Sequence, residues 1–155
     1  MTVTLTEATT ADLDLLAGYM RELRRDDPMP TEAIVGFDTS VAAMRQLLDD
    51  ESIGRAWIIR AEAEPAGYVA LTFGHSIEFG GRTAFVDEFF VDASHRRRGV
   101  GKAALQLVTE QASSLNVRVL FLELTPSNTA AERLYRGAGF VDRNYRLMWK
   151  RLGGL

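Results

Sequence analysis

The chain has 155 residues, enough for one domain around one hydrophobic core, and its 46% hydrophobic and 25% charged residues are ordinary for a soluble globular protein. A formal net charge of -3 argues against a general nucleic-acid binder, and zero cysteines exclude disulfides, Cys-ligated zinc and thiol nucleophiles. With only His75 and His95, a histidine-rich metal site is not expected either. The N-terminus, MTVTLTEATTADLDLL, lacks the basic start and apolar block of a signal peptide, and no stretch reaches the length of a membrane span. The expected location is therefore cytoplasmic, with neither membrane nor nucleic acid as a partner.

Residues 3–7 alternate and are β-branched, which predicts a short strand. Thr10 is placed to cap a helix carrying Leu13, Leu15, Leu16, Tyr19, Met20 and Leu23. DDPMPTEAIVGFD then reads as an internal loop, and Asp38 or Thr39 as the cap of a second helix with Val41, Met44, Leu47 and Leu48. Residues 55–61 and 67–73 read as a hairpin turning at 62–66, and Gly80-Gly81 as the turn before a strand at 83–92. The period then becomes helical through Val100, Ala103, Ala104, Leu107, Val108, Ala112 and Leu115. The apolar run at 117–124 predicts a strand covered on both faces. Thr129-Ala-Ala-Glu132 matches a capping box opening a helix through Tyr135, and 140–142 with 145–150 complete a final strand pair. Strands and helices mix, with hairpins first and a crossover later, so an α+β (mixed α/β) sheet with packed helices is expected over a single domain, 1–155.

The stretch HRRRGVGKAA at 95–104 carries the chemistry. Gly99-x-Gly101-x-x-Ala104 admits a dinucleotide fingerprint, with Glu123 about 20 residues on as the ribose acid. Against that, VDASHRRR separates the strand from the glycines, and Asp87 and Glu88 interrupt a strand that would have to be buried and parallel. A solvated basic loop is the plain alternative. A third reading is a phosphate cradle for another cofactor. Glycines admit close approach of backbone N–H groups, a helix start presents its dipole, and Arg96, Arg97, Arg98 and Lys102 concentrate positive charge in an acidic protein.

Arg96-Arg97-Arg98-Gly99-Val100-Gly101 resembles the Arg-x-x-Gly-x-Gly pyrophosphate loop of the GNAT N-acetyltransferase superfamily. The strand FVDEFFV at 85–91 resembles that family's fourth strand, and Asn128-x-x-Ala131, Leu134-Tyr135 and Gly139-Phe140 resemble its downstream block. The match covers about residues 84–140; the first half is similar only in element order. The resemblance implies a GNAT-like acyl-CoA N-acyltransferase fold, with a mostly antiparallel twisted sheet of six to seven strands and about four helices. It implies acetyl-CoA as cosubstrate and direct acetyl transfer to a primary amine. The loop from Arg96 through Lys102 would hold the pyrophosphate, Phe89, Phe90 and Val91 would pair with the pantetheine arm, and an N–H near Phe90 or Val91 would face the thioester oxygen. Asn128 is either a CoA contact or merely the residue before the Thr129 cap.

Within that resemblance Tyr135 is the candidate general acid at the sulfur, and taken alone a core-edge aromatic. Glu88, ahead of Asp87, is the candidate base, directly or through water; the plain alternative is a surface carboxylate or a pair with Arg82. Successive strand residues face opposite ways, so at most one should face the acceptor. Glu123 and His75 are minor candidates for acceptor or water contact, and His95 reads as a loop residue. Asp26, Asp27, Glu32, Asp38 and Glu78 favour a cationic amine, but Arg21, Arg24 and Arg25 stand beside the first four. The expected acceptor is a small molecule, polyamine- or amino-acid-like. A peptide or protein amine, a non-catalytic CoA-binding regulatory module and, remotely, a dinucleotide oxidoreductase remain open. The strand at 145–150 could pair with a second copy, so a homodimer stays open beside a monomer.

Overall fold

The computed structural model describes residues 1–26 and 35–153. These fall into two compact units, Met1–Glu123 and Leu124–Leu155. Most of the Pro-containing loop, with Asp27 and Glu32, lies outside the described residues. No helix among the described residues is long and apolar enough to cross a membrane.

The first unit contains strands β1 (Val3–Glu7), β2 (Gly54–Ala61), β3 (Glu64–Ser76), β4 (Gly81–Val91) and β5 (Val119–Phe121), in spatial order β1-β2-β3-β4-β5. The first four strands are antiparallel, and β5 joins β4 in parallel. Helices α1 (Leu13–Asp26) and α2 (Phe37–Asp49) cover one face, where Leu16, Tyr19, Met20, Met44 and Leu47 pack on Ala56, Ile58, Tyr68, Ala70 and Phe90. Helix α3 (Val100–Ser114) covers the other. Its Val100 and Ala104 pack on Ile59, Ala61 and Ala66, with Val3, Leu5, Phe89 and Val91 beside them. Small residues on the α3 stripe let it lie close to the sheet.

Several boundaries differ from the sequence reading, each through backbone chemistry. Thr9, not Thr10, caps the first helical turn, exchanging bonds with Asp12. Gly36 caps α2 in place of Asp38 or Thr39, both of which fall inside the helix. The β2–β3 turn shrinks to Glu62 and Ala63, both at positive φ (50° and 70°), the geometry of a two-residue hairpin loop whose twist matches its strands. Strand β5 keeps only three residues of the apolar run, and these are half-buried.

The second unit has α4 (Thr129–Gly137) as its regular element among the described residues. The predicted strands at 140–142 and 145–150 do not form, so among the described residues the sheet has five strands and not six to seven. Tyr145, Leu147, Met148 and Trp149 are exposed. An alternating pattern states a preference, whereas a strand exists only with a neighbour's hydrogen bonds.

Candidate active site

Strand β4 is the backbone of the site. Its register with β3 pairs Phe90 with Tyr68 and Glu88 with Ala70, then Val86 with Leu71, which leaves Asp87 as the extra residue of a β-bulge. In an unbroken strand residues 86 and 88 share a face. The bulge separates them: Glu88 lies on the face of Tyr68, Ala70 and Phe90, beneath α1 and α2. Phe89 and Val91 lie on the opposite face, with α3.

The Tyr68 hydroxyl donates to Glu88 Oε2 at 2.8 Å. Burial raises the Glu88 carboxyl above the usual carboxylate range; the Tyr68 hydrogen bond opposes this, the Asp87 charge adds to it and the Arg24 charge opposes it. Burial, then the Glu88 charge, pushes the Tyr68 phenol far up, so Tyr68 is a hydrogen-bond donor and not an acid at neutral pH. Burial also raises Asp87, which keeps more exposed surface than Glu88. A carboxyl moved toward neutrality is suited to taking and returning a proton.

Beside this carboxyl, β4 has an open edge. It pairs with β5 at Thr83, Ala84 and Phe85, and among the described residues that ladder goes no further along β4. On the other edge the Phe90 carbonyl faces Gly67 so closely that a Cβ there would sit 2.0 Å away. Backbone directions alternate, so Phe89 and Val91 turn their N–H and C=O groups to the open edge. Phe90 turns its own toward β3, which leaves Val91 as the donor of the two that faces the edge. The Val91 carbonyl accepts from Arg96 Nε at 2.7 Å.

The loop that follows is tightly held at its start. Asp92 caps a short 3-10 turn, Ala93–His95, accepting from the Ser94 and His95 amides at 3.0 and 3.2 Å, from Ser94 Oγ at 2.6 Å, and lying 2.9 Å from His95 Nδ1. Desolvation of Asp92 is outweighed by these bonds and by His95, and its carboxyl falls below the usual range. His95 is thus a brace. Arg97 (φ 57°) and Gly99 (φ 83°) are both left-handed, and α3 begins at Val100. The Ala103 amide bonds the Gly99 carbonyl at 3.0 Å. The amides of Val100, Gly101 and Lys102 come before it and have no carbonyl within the helix to reach. Gly99 caps without a side chain, so no side-chain acceptor meets these amides among the described residues; Val100 is buried, whereas Gly101 and Lys102 reach the surface.

Arg97, Arg98 and Lys102 are exposed and form no ion pair among the described residues. Arg96 differs. Its Nη2 lies 2.5 Å from Asp26 Oδ2, and its guanidinium sits 5.3 Å from the Phe90 ring centre. It ties the end of α1 to the end of β4.

In the second unit Asn128, and not Thr129, caps α4, its side-chain oxygen accepting from the Ala131 amide at 3.1 Å. Tyr135 stands edge-on to Phe140 at 5.8 Å, and burial raises its phenol. His75 pairs in register with Arg82, six residues before Glu88 on β4, about 20 Å away along the strand. That removes it from the candidate site. Glu123 is exposed and lies beyond the end of β5.

The acetyltransferase (GNAT) family model matches residues 17–140, well over half of the chain. The chain belongs to the GNAT acetyltransferase family. An integron cassette protein, HFX_CASS3, from the mobile metagenome of Cole Harbour Salt Marsh is 33% identical, with a TM-score of 0.80 over 97% of this chain and 91% of that one. The [ribosomal protein bS18]-alanine N-acetyltransferase of Escherichia coli K12 is 37% identical over 59 residues, 36% of this chain and 40% of that protein's length. AAC(6')-Iy, solved with the bisubstrate analogue CoA-S-monomethyl-acetylneamine, shares the fold at 17% identity, with a TM-score of 0.78 over 99% of this chain and 100% of that one. A GNAT fold also disposes of the dinucleotide reading, because the doubly wound fold requires a parallel sheet and β1 to β4 are antiparallel.

Sequence reasoning missed Tyr68 and Arg24 as neighbours of Glu88, and nothing near either in the chain signals it. Asp92 could have been found: Asp-x-Ser, with the acid accepting from the amide two residues on, is an Asx-turn signature.

Proposed function

We propose that this GNAT protein transfers the acetyl group of acetyl-CoA to a primary amine of a small molecule by direct attack on the thioester, and that residues 1–155 act as one domain in doing so. The observation that carries the reading is the run from Asp87 to Lys102. A raised carboxyl, an open strand edge and a helix start with uncovered amides follow one another there.

The group fits these residues. The amides of Gly101 and Lys102 with the charges of Arg97, Arg98 and Lys102 suit a diphosphate, and the strand edge at Val91 suits an amide-bearing arm lying alongside as a strand would. Arg96 is assigned as a brace, not a pyrophosphate ligand, because Asp26 and Val91 engage it. Asn128 is assigned as a cap. Acetyl-CoA supplies an acetyl carbon already activated as a thioester. Glu88, directly or through one water, takes a proton from the amine, whose nitrogen then bonds the acetyl carbon as the carbon–sulfur bond breaks. The Val91 N–H donates to the oxygen that gathers charge. Tyr135, carried over from the family's Leu-Tyr motif, gives its proton to the leaving sulfur. Burial raises this phenol and so keeps it protonated at neutral pH, with its proton present to be given.

A second reading, acetylation of a peptide N-terminus, has one observation in its favour: the 59-residue likeness to the bS18-alanine enzyme. Two measurements test the proposal. Acetyl-CoA and CoA should raise the melting temperature while NAD and NADP do not, because only a ligand of the folded state stabilises it. Thiol release over a panel of small amines and peptides should then show turnover, with Tyr135→Phe slower by roughly 10–100-fold at unchanged acetyl-CoA affinity. Binding without thiol release on any amine would leave a regulatory CoA-binding module.

A further inference from the structure

Arg24, in the last part of α1, is held by polar and aromatic groups that do not neutralise it. Its Nη2 donates to Ser40 Oγ on α2, and its guanidinium carbon lies 5.1 Å from the Phe37 ring centre. Its Nη1 is buried and has no hydrogen-bond partner among the described residues. A buried donor on a cation left without an acceptor costs the full loss of its hydration. No carboxylate forms an ion pair with Arg24 among the described residues.

The position of this nitrogen gives it meaning. Five residues earlier on α1, Tyr19 packs on Phe90 at 5.6 Å; two residues later, Asp26 bonds Arg96 at 2.5 Å. These contacts bracket Arg24 over the end of β4 that carries Glu88. Its charge is felt by both Glu88 and Tyr68, yet Glu88 pairs with the Tyr68 hydroxyl and not with Arg24. A cation with a spare donor thus stands near a carboxylate assigned to accept a proton, and the two do not quench each other. That arrangement is complementary to a zwitterion, with the amine directed to Glu88 and an anionic group to Arg24.

We propose that Arg24 recognises a carboxylate on the acceptor, so that the substrate class is an amino acid or a close amino-carboxylate derivative. The proposal rests on the acetyltransferase reading of the same site and narrows it. A guanidinium fork matches a carboxylate in shape and charge. A polyamine would bring a second positive charge to Arg24 and be repelled. Arg24 is half-buried as a residue, and the proposal requires its long stem to turn so that the buried Nη1 meets the ligand.

The test is thiol release from acetyl-CoA on matched acceptors: free amino acids, the same amino acids as carboxamides, and the corresponding decarboxylated amines, with spermidine as the polyamine probe. The acids should be preferred by about 10–100-fold in kcat/KM, the range of one hydrogen bond to a charged group. Arg24→Gln should erase that preference by raising KM for the acids with kcat little changed, and Arg24→Lys should restore part of it. Acetyl-CoA affinity should be the same in all three proteins. If Arg24→Gln does not fold, the wild-type protein answers instead: propionate should inhibit competitively against the amine and not against acetyl-CoA. Equal or better turnover of the carboxamides, the decarboxylated amines or spermidine overturns the proposal while leaving the acetyltransferase reading standing. So does propionate that fails to compete, or acetyl-CoA binding with no turnover of any acid. Failure to bind acetyl-CoA at all would remove the broader reading along with it.

Discussion

The two faces of β4 are built from neighbouring residues and do different work. On the face toward α1 and α2, Glu88 and Phe90 meet Tyr68, Tyr19 and the field of Arg24. On the face toward α3, Phe89 and Val91 pack with apolar residues such as Val100 and Ala104. The polar face is suited to choosing and deprotonating an acceptor. The apolar face fixes where α3 begins, and so where the uncovered amides sit. One bulged residue, Asp87, makes the division possible, because it turns Glu88 away from the side that Val86 occupies.

The largest expected effect is on the polar face. Glu88→Gln should lower kcat/KM by about 10²–10⁴-fold, the usual contribution of a positioned base, with acetyl-CoA affinity unchanged in calorimetry. The wild-type rate should rise as pH climbs through a value above the ordinary carboxylate range, since burial raises Glu88 and only its ionised form accepts the proton. That limb should vanish in the variant. If Asp87→Asn removes it instead, the roles on the bulge are reversed. If neither variant changes rate or profile, the two faces do not divide the chemistry.

Next comes the contact that holds both faces in register. Gly67→Ala places a Cβ 2.0 Å from the Phe90 carbonyl oxygen, a backbone atom that can move only by parting β3 from β4. A loss of about 3 kcal/mol or more in urea unfolding is expected, and loss of activity with it. Ordinary stability in this variant would mean that the β3–β4 register is looser than described.

A smaller effect belongs to the loop below the apolar face. Arg98→Ala with Lys102→Ala should weaken acetyl-CoA binding by roughly tenfold, and less at high salt, because exposed charges are screened. Acceptor KM should not move. An effect on acceptor KM comparable to that on acetyl-CoA would blur the separation of the two faces.

The smallest effect is on stability. Folding raises the Glu88 pKa, so at neutral pH the buried carboxylate costs stability, and this cost disappears as pH falls toward the unfolded carboxylate range. Glu88→Gln should therefore be as stable as wild type or slightly more so at pH 7, with the difference closing in acid. Marked destabilisation at pH 7 would make Glu88 a structural anchor for Tyr68 and weaken its assignment as a base.

Much of this site could be read directly. The glycines and arginines at 96–102 form the helix start expected of them, because positive φ at Gly99 and an uncovered amide row are local properties. Glu88 and Asp87 stand out because acids inside an otherwise apolar strand demand a reason. Arg96 looks like its two neighbours in sequence, and only its bonds to Asp26, 70 residues away, and to Val91 set it apart. His75 looked usable until the register with Arg82 placed it at the far end of the strand. The strand pattern at 145–150 was legible as a pattern only, since its hydrogen-bond partner is not written in its own residues.

The sequence by itself determined the helix periods, the glycine- and arginine-rich loop at 96–102, the acids on the strand before it and, through motifs in order, the family. All of these depend on residues within a few positions of one another, where steric and hydrogen-bonding preferences act directly. The tertiary structure alone decided that a bulge at Asp87 splits the strand's faces and that Tyr68 meets Glu88. It also decided that Glu88 and Tyr68 feel the charge of an arginine from α1 that has a donor without an acceptor among the described residues. Those facts come from packing two helices and four strands against one another, which brings together residues that share no local pattern.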